Sequence, residues 1–133
     1  MFEADYIQQR GFMNVTENNK IIGVQIPFRT VYYRGLYLSN IQVLFEVKID
    51  GETFKEDQIQ FVTGGKAYEQ KDFQNFSNVY WPIDELGTLI VKKPGGLKPG
   101  THDVEISYGY SVCYYGGAGM SKPVLKRRMC LGR

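Results

Sequence analysis

The chain has 133 residues, 16 of them basic and 14 acidic, for a net charge of +2. That length suits one domain able to bury roughly two-thirds of its unfolded surface, and so weak a charge excludes the field on which nucleic-acid or membrane-surface binding draws. No apolar run approaches the roughly 18 residues of a membrane span, and the opening MFEADYIQQRGF carries neither a basic nor an apolar leader region, so a cytoplasmic location is expected.

In chain order, β-rich stretches alternate with turn residues. FMNV (12–15) and KIIGVQIPFR (20–29) flank TENN, a good hairpin connection. IQVLFEVKI (41–49) runs into Asp50-Gly51, the strongest short hairpin signal, with ETF behind it. DQIQFVT (57–63) ends at Gly64-Gly65, and AYEQKDFQNF (67–76) is the one stretch that reads as a short helix. GTLIVKK (87–93), HDVEISYGYSVCYY (102–115) and KPVLKRRMCL (122–131) complete seven or eight strands. Strands at this spacing without alternating helices predict an all-β fold: one antiparallel β-sandwich over residues 1–133, of the immunoglobulin or fibronectin kind, with a closed barrel as the alternative.

The loop KKPGGLKPG (92–100) raises the question of a phosphate cradle. Such a cradle needs glycines opening onto a helix N-terminus and a Lys followed by Ser or Thr. Here the alternating run from His102 follows instead, and each Pro-Gly pair reads as a turn, so two successive β-turns are expected.

The catalytic inventory is thin. His102 is the sole histidine, and the acids are scattered, which leaves no ligand set for a metal. Cys113 and Cys130 lack a CxxC spacing and read as free buried thiols. Asp84-Glu85 suits a solvated turn, and the basic run Lys126-Arg127-Arg128 a solvated strand. No catalytic residue, cofactor site or metal site is expected in this chain.

Aromatic residues are abundant: ten Tyr, eight Phe and one Trp. Several crowd into PFRTVYYRGLYLSNI (27–41), where Tyr32, Tyr33 and Tyr37 accompany Arg34, the residue types that dominate interface hot spots. Read as a strand, VYYRGLYLS places Tyr33 and Tyr37 on one face and Tyr32 and Arg34 on the other. A second pair, Tyr114 and Tyr115, precedes a Gly-rich turn suited to a contact loop. Trp81, with tyrosines, is a candidate sugar platform.

At these residues a resemblance emerges. The order GFMNV, IPFRTVYYRGLYLSNI, VKIDGE, FVTGGKAY, a Trp before an acidic turn, then TLIVKKPGGLKPGTHDVEI resembles the beta subunit of bacterial C-glycoside deglycosidases over residues 11 to about 108. The closing YYGGAGMSKPVLKRRMC departs from that pattern. The resemblance implies a small β-sandwich that works beside a larger alpha subunit, a (β/α)8 barrel of the sugar isomerase or epimerase type holding a divalent metal, manganese being expected. Together such subunits cleave the carbon–carbon bond between a 3-oxo sugar and an aromatic aglycone. The implied chemistry is an elimination. The C3 ketone acidifies the C2 proton, a base removes it with a metal to steady the enolate, and the C1–aryl bond breaks as the aglycone carbon gains a proton. This chain's implied role is structural and pocket-shaping, with Tyr32, Tyr33, Arg34, Tyr37, Trp81, Tyr114 and Tyr115 as candidates for the partner interface or pocket rim. The alternative is a standalone carbohydrate-binding sandwich; the missing ligand set disfavours a self-contained enzyme.

Overall fold

The computed structural model describes residues 6–32, 34–111 and 120–132. Among them are eleven strands: β1 (Met13–Glu17), β2 (Lys20–Phe28), β3 (Leu36–Tyr37), β4 (Ile41–Ile49), β5 (Glu52–Phe54), β6 (Ile59–Thr63), β7 (Lys66–Glu69), β8 (Tyr80–Trp81), β9 (Gly87–Lys92), β10 (Gly100–Tyr110) and β11 (Val124–Leu131). Eight have four residues or more. One sheet runs β1-β2-β9-β6-β7, a second β11-β10-β4-β5, and β3 with β8 forms a small ribbon. All pairings are antiparallel, and the sheets stay separate, giving the expected all-β sandwich and not a barrel.

Period-two alternation produces these layers. On β4, Phe45, Val47 and Ile49 are buried while Glu46 and Lys48 face water; on β6 and β9 the buried partners are Ile59, Phe61, Leu89 and Val91. Three hairpins turn on two residues each. Asn18-Asn19, Asp50-Gly51 and Gly64-Gly65 all have positive φ at both positions and join strands in register, the geometry that matches strand twist. The third hairpin also explains a boundary difference. Lys66–Glu69 folds back on β6 as strand β7, so only Gln70–Asn75 of the stretch expected as a helix becomes a 3-10 turn.

Rings from both sheets fill the centre. Phe28 on β2 lies 5.5 Å from Phe45 on β4 at 86°, Phe45 stacks on Phe61 of β6 at 5.2 Å, and Trp81 sits 5.0 Å from both Phe28 and Phe61. Tyr108 on β10 joins at 4.8 Å from Phe45. Burial drives the Tyr108 hydroxyl's pKa up to about 12, against the lowering effect of its hydrogen bonds to Thr30 and Val31.

Three side-chain amides act as strand partners. The Gln9 carboxamide both accepts from the Cys130 N–H (2.9 Å) and donates to the Cys130 carbonyl (2.6 Å). Asn14 does the same to Leu97, at 2.9 Å in each direction, and buried Gln70 to Phe45, at 2.5 and 3.2 Å. A primary amide carries a donor and an acceptor at the spacing of a peptide group, so each pair satisfies backbone polar groups the ladder leaves open.

Candidate functional site

The β3–β8 ribbon positions the most prominent aromatic surface among the described residues. Leu36 pairs with Trp81 and Tyr37 with Tyr80. Strand parity sends the first pair inward and the second outward, so Tyr37 and Tyr80 are 44% and 45% exposed. Their rings lie 5.1 Å apart at 49°. The Tyr80 hydroxyl donates to the Arg34 carbonyl, the Tyr37 N–H donates to Asn40 Oδ1 at 2.9 Å, and the Leu38 N–H to the Val79 carbonyl at 3.0 Å. Gly35 passes beneath at φ +75°, where a Cβ would come within 2.6 Å of both the Trp81 carbonyl and the Tyr80 hydroxyl. The pair is thus a fixed ridge of rings.

Beside it, the 82–86 turn is pinned from two directions. Trp81 Nε1 donates to the Glu85 carbonyl at 3.0 Å, and the Glu85 carboxylate accepts from the Gly64 N–H at 3.0 Å. The turn leaves Ile83 and Leu86 exposed.

This geometry corrects two expectations. Among the described residues of 31–39 only Leu36–Tyr37 pairs as a strand, and just before it the Gly35 N–H donates to the Tyr32 carbonyl at 2.9 Å with Gly35 at positive φ. A glycine at positive φ broke the run, so parity counted from Tyr33 does not apply. Trp81, a candidate platform, is fully buried. Such a ring hides roughly 150–250 Å² and, at about 25 cal/mol per Å², contributes several kcal/mol to folding, which a sugar would have to undo to reach it.

The remaining candidates separate. Tyr32 is half-buried against Tyr110, 5.6 Å away, and Arg34 is exposed at the turn. Tyr33, Tyr114 and Tyr115, with Cys113, lie outside the described residues. Cys130, expected to be buried, is exposed on β11 because it alternates with core residues Met129 and Leu131. Tyr80 was missed; its only signal is adjacency to Trp81, since neighbours on a strand must face opposite ways.

The 93–99 loop answers the phosphate question. Gly95 N–H donates to Ile21 O (3.0 Å), Gly96 N–H to Lys93 O (2.8 Å) and Leu97 N–H to Asn14 Oδ1 (2.9 Å), so the amides that would cradle an anion serve the fold. Lys93 reaches Glu52 at 2.9 Å over the Phe54 ring. The loop is a crossover carrying the chain from β9 in one sheet to β10 in the other.

His102 opens β10. Its Nδ1 lies 2.6 Å from Asp50 Oδ2 and its Nε2 2.7 Å from the Lys98 carbonyl. Burial pulls the imidazole's pKa down, yet the hydrogen bonds to Asp50 and Lys98 and the Asp50 charge outweigh it, leaving the value raised. The His102 bond, helped by the Asp103 N–H, holds the Asp50 carboxyl below its usual range. No three His, Cys, Asp or Glu side chains among the described residues converge as a metal site, and no helix there is long and apolar enough to cross a membrane.

Comparison with known proteins decides the family. Residues 2–114 match the family model described as C-glycoside deglycosidase beta subunit. A protein of Eubacterium cellulosolvens, named C-glycoside deglycosidase beta subunit, is 33% identical over 115 residues, which is 84% of this chain and 76% of that one. The chain belongs to the C-glycoside deglycosidase beta subunit family. The family match takes in the β3–β8 ribbon, the 82–86 turn and the crossover, whereas β11 lies beyond the matched residues.

Proposed function

We propose that this chain is the small, non-catalytic subunit of a C-deglycosylating lyase complex. In it, the carbon–carbon bond between a 3-oxo sugar and an aromatic aglycone is cleaved by elimination. The family match carries this reading. The alpha partner we infer is a (β/α)8 barrel of the sugar isomerase type, working in the cytoplasm. A divalent metal, manganese being expected, belongs with that partner. The described residues of this chain do not fit one, since no three potential ligands converge and both nitrogens of the lone histidine are already engaged.

The partner contact is part of the same proposal. The ridge supports it: Tyr37 and Tyr80 are large, exposed and packed ring against ring, and the Tyr80 hydroxyl is tied to the Arg34 carbonyl, so less side-chain freedom is lost when a partner covers them. Arg34 adds a planar cation at its edge.

The test is co-expression with an alpha subunit of the same enzyme class. A stable complex that turns over a 3-oxo-C-glycoside, with neither chain active alone, is the expected result. Turnover by the isolated chain, or one tightly held Mn²⁺ per isolated chain by elemental analysis, would overturn the division of labour.

A further inference from the structure

His102 stands between two acceptors. The Lys98 carbonyl can only accept, and so can the ionised Asp50 carboxylate, whose other oxygen takes the Asp103 N–H at 2.8 Å. A neutral imidazole has one N–H; an imidazolium has two. Contacts of 2.6 and 2.7 Å are therefore both hydrogen bonds only when the ring carries both protons.

We propose that His102 is a proton-operated latch: protonated, it ties the 93–99 crossover to the tip of the β4–β5 hairpin, and deprotonated, it releases the crossover at Lys98. The direction of release follows from bond strength. A ring that loses one proton keeps Nδ1–H on the carboxylate, the charge-assisted bond, and turns a bare Nε2 lone pair on the Lys98 carbonyl. Asp50 does not follow the crossover, because its N–H donates to the Asp103 carbonyl at 3.0 Å while its carboxylate accepts from Asp103.

The charged groups around the latch come from every neighbouring element. Asp50 and Glu52 belong to the β4–β5 hairpin, Lys93 and Lys98 to the crossover, and Asp103, paired with Arg128 of β11 at 2.9 Å, to β10. Lys93 is taken up by Glu52, which leaves Asp50 as the anion in contact with the ring. Release stays local, since Gly95 and Leu97 remain bonded to Ile21 and Asn14. The sign of the linkage is that of a group whose folded pKa is raised. The latch's stabilisation is complete below histidine's ordinary value of about 6.5 and is lost as pH climbs through the higher folded value.

The experiment uses the full ¹⁵N-labelled chain. Ring nitrogen shifts should show two protonated nitrogens at about pH 5.5 and loss of the Nε2 proton first, at a midpoint above about 6.5. Above that midpoint the Gly100 amide, at the start of β10, should exchange about tenfold faster than base catalysis alone explains. His102→Gln, which cannot titrate, should abolish that excess, and Asp50→Asn should lower the histidine midpoint. A single-proton ring at the acid end, loss of Nδ1–H first, or the same exchange profile in His102→Gln would overturn the latch. If a variant fails to fold, the wild-type ring titration decides alone.

Discussion

Tyr80 and Trp81 are adjacent on β8, yet one ring is 45% exposed beside Tyr37 and the other is wholly buried among Phe28, Phe45 and Phe61. Both sets of rings are packed at aromatic contact distance, so packing does not distinguish them. What differs is the fate of the outer face. The inner rings interlock with two sheets, whereas the outer pair is braced from behind by Arg34, Gly35 and Asn40 and left 44% and 45% exposed by the described residues. A strand only two residues long thus serves folding with one side and presents a surface with the other.

The largest effect is expected at the inner ring. Trp81→Ala should cost about 3–5 kcal/mol in urea unfolding, the usual penalty for emptying a buried aromatic site; a loss under about 1 kcal/mol would mean the ring is not core. Next is the hinge between the halves. Gly35→Ala puts a Cβ 2.6 Å from the Trp81 carbonyl and the Tyr80 hydroxyl at φ +75°, and should cost about 1–3 kcal/mol while loosening Tyr80. Thermal melts with tyrosine fluorescence read both effects.

At the outer half, Tyr37→Ala and Tyr80→Ala should leave the isolated chain within about 1 kcal/mol of wild type and weaken the alpha complex by about 2 kcal/mol. Titration calorimetry against the alpha subunit measures this. Variants that bind normally but melt early would put the ridge with the core. The smallest effects belong to the crossover. Gly95→Ala, at φ +83° with open space around it, should cost about 1 kcal/mol, and Lys98→Ala no more than about 0.5 kcal/mol. Loss of substrate binding in Lys98→Ala at unchanged melting temperature would restore an anion-binding role to that loop.

Strands were legible where alternation is strict and the turn residues strong. IQVLFEVKI was read at its observed limits because Phe45, Val47 and Ile49 alternate with charges and end at Asp50-Gly51. VYYRGLYLS misled for a physical reason: its rings are spaced as in a strand, but Gly35 takes a left-handed turn that tyrosine spacing cannot report. For the same segment, the aromatic surface was legible in kind but not in membership, since the ring beside Tyr37 comes from Tyr80, 43 positions on. The latch was hidden altogether, as Asp50 and His102 are 52 residues apart and meet only through sheet pairing.

The amides of Gln9 and Gln70 also stand guard over open backbone. A net charge of +2 gives copies of this chain little mutual repulsion at close range, and a sandwich exposes strand edges on which a stranger's backbone can add. At Cys130 on the outer strand of one sheet, and at Phe45 where β5 no longer covers β4, a glutamine already occupies the donor and acceptor such a stranger would need. Fibril-like growth from those positions must first evict a side chain already hydrogen-bonded in place, so neutral amides add their protection there to the lysine and arginines that line β11.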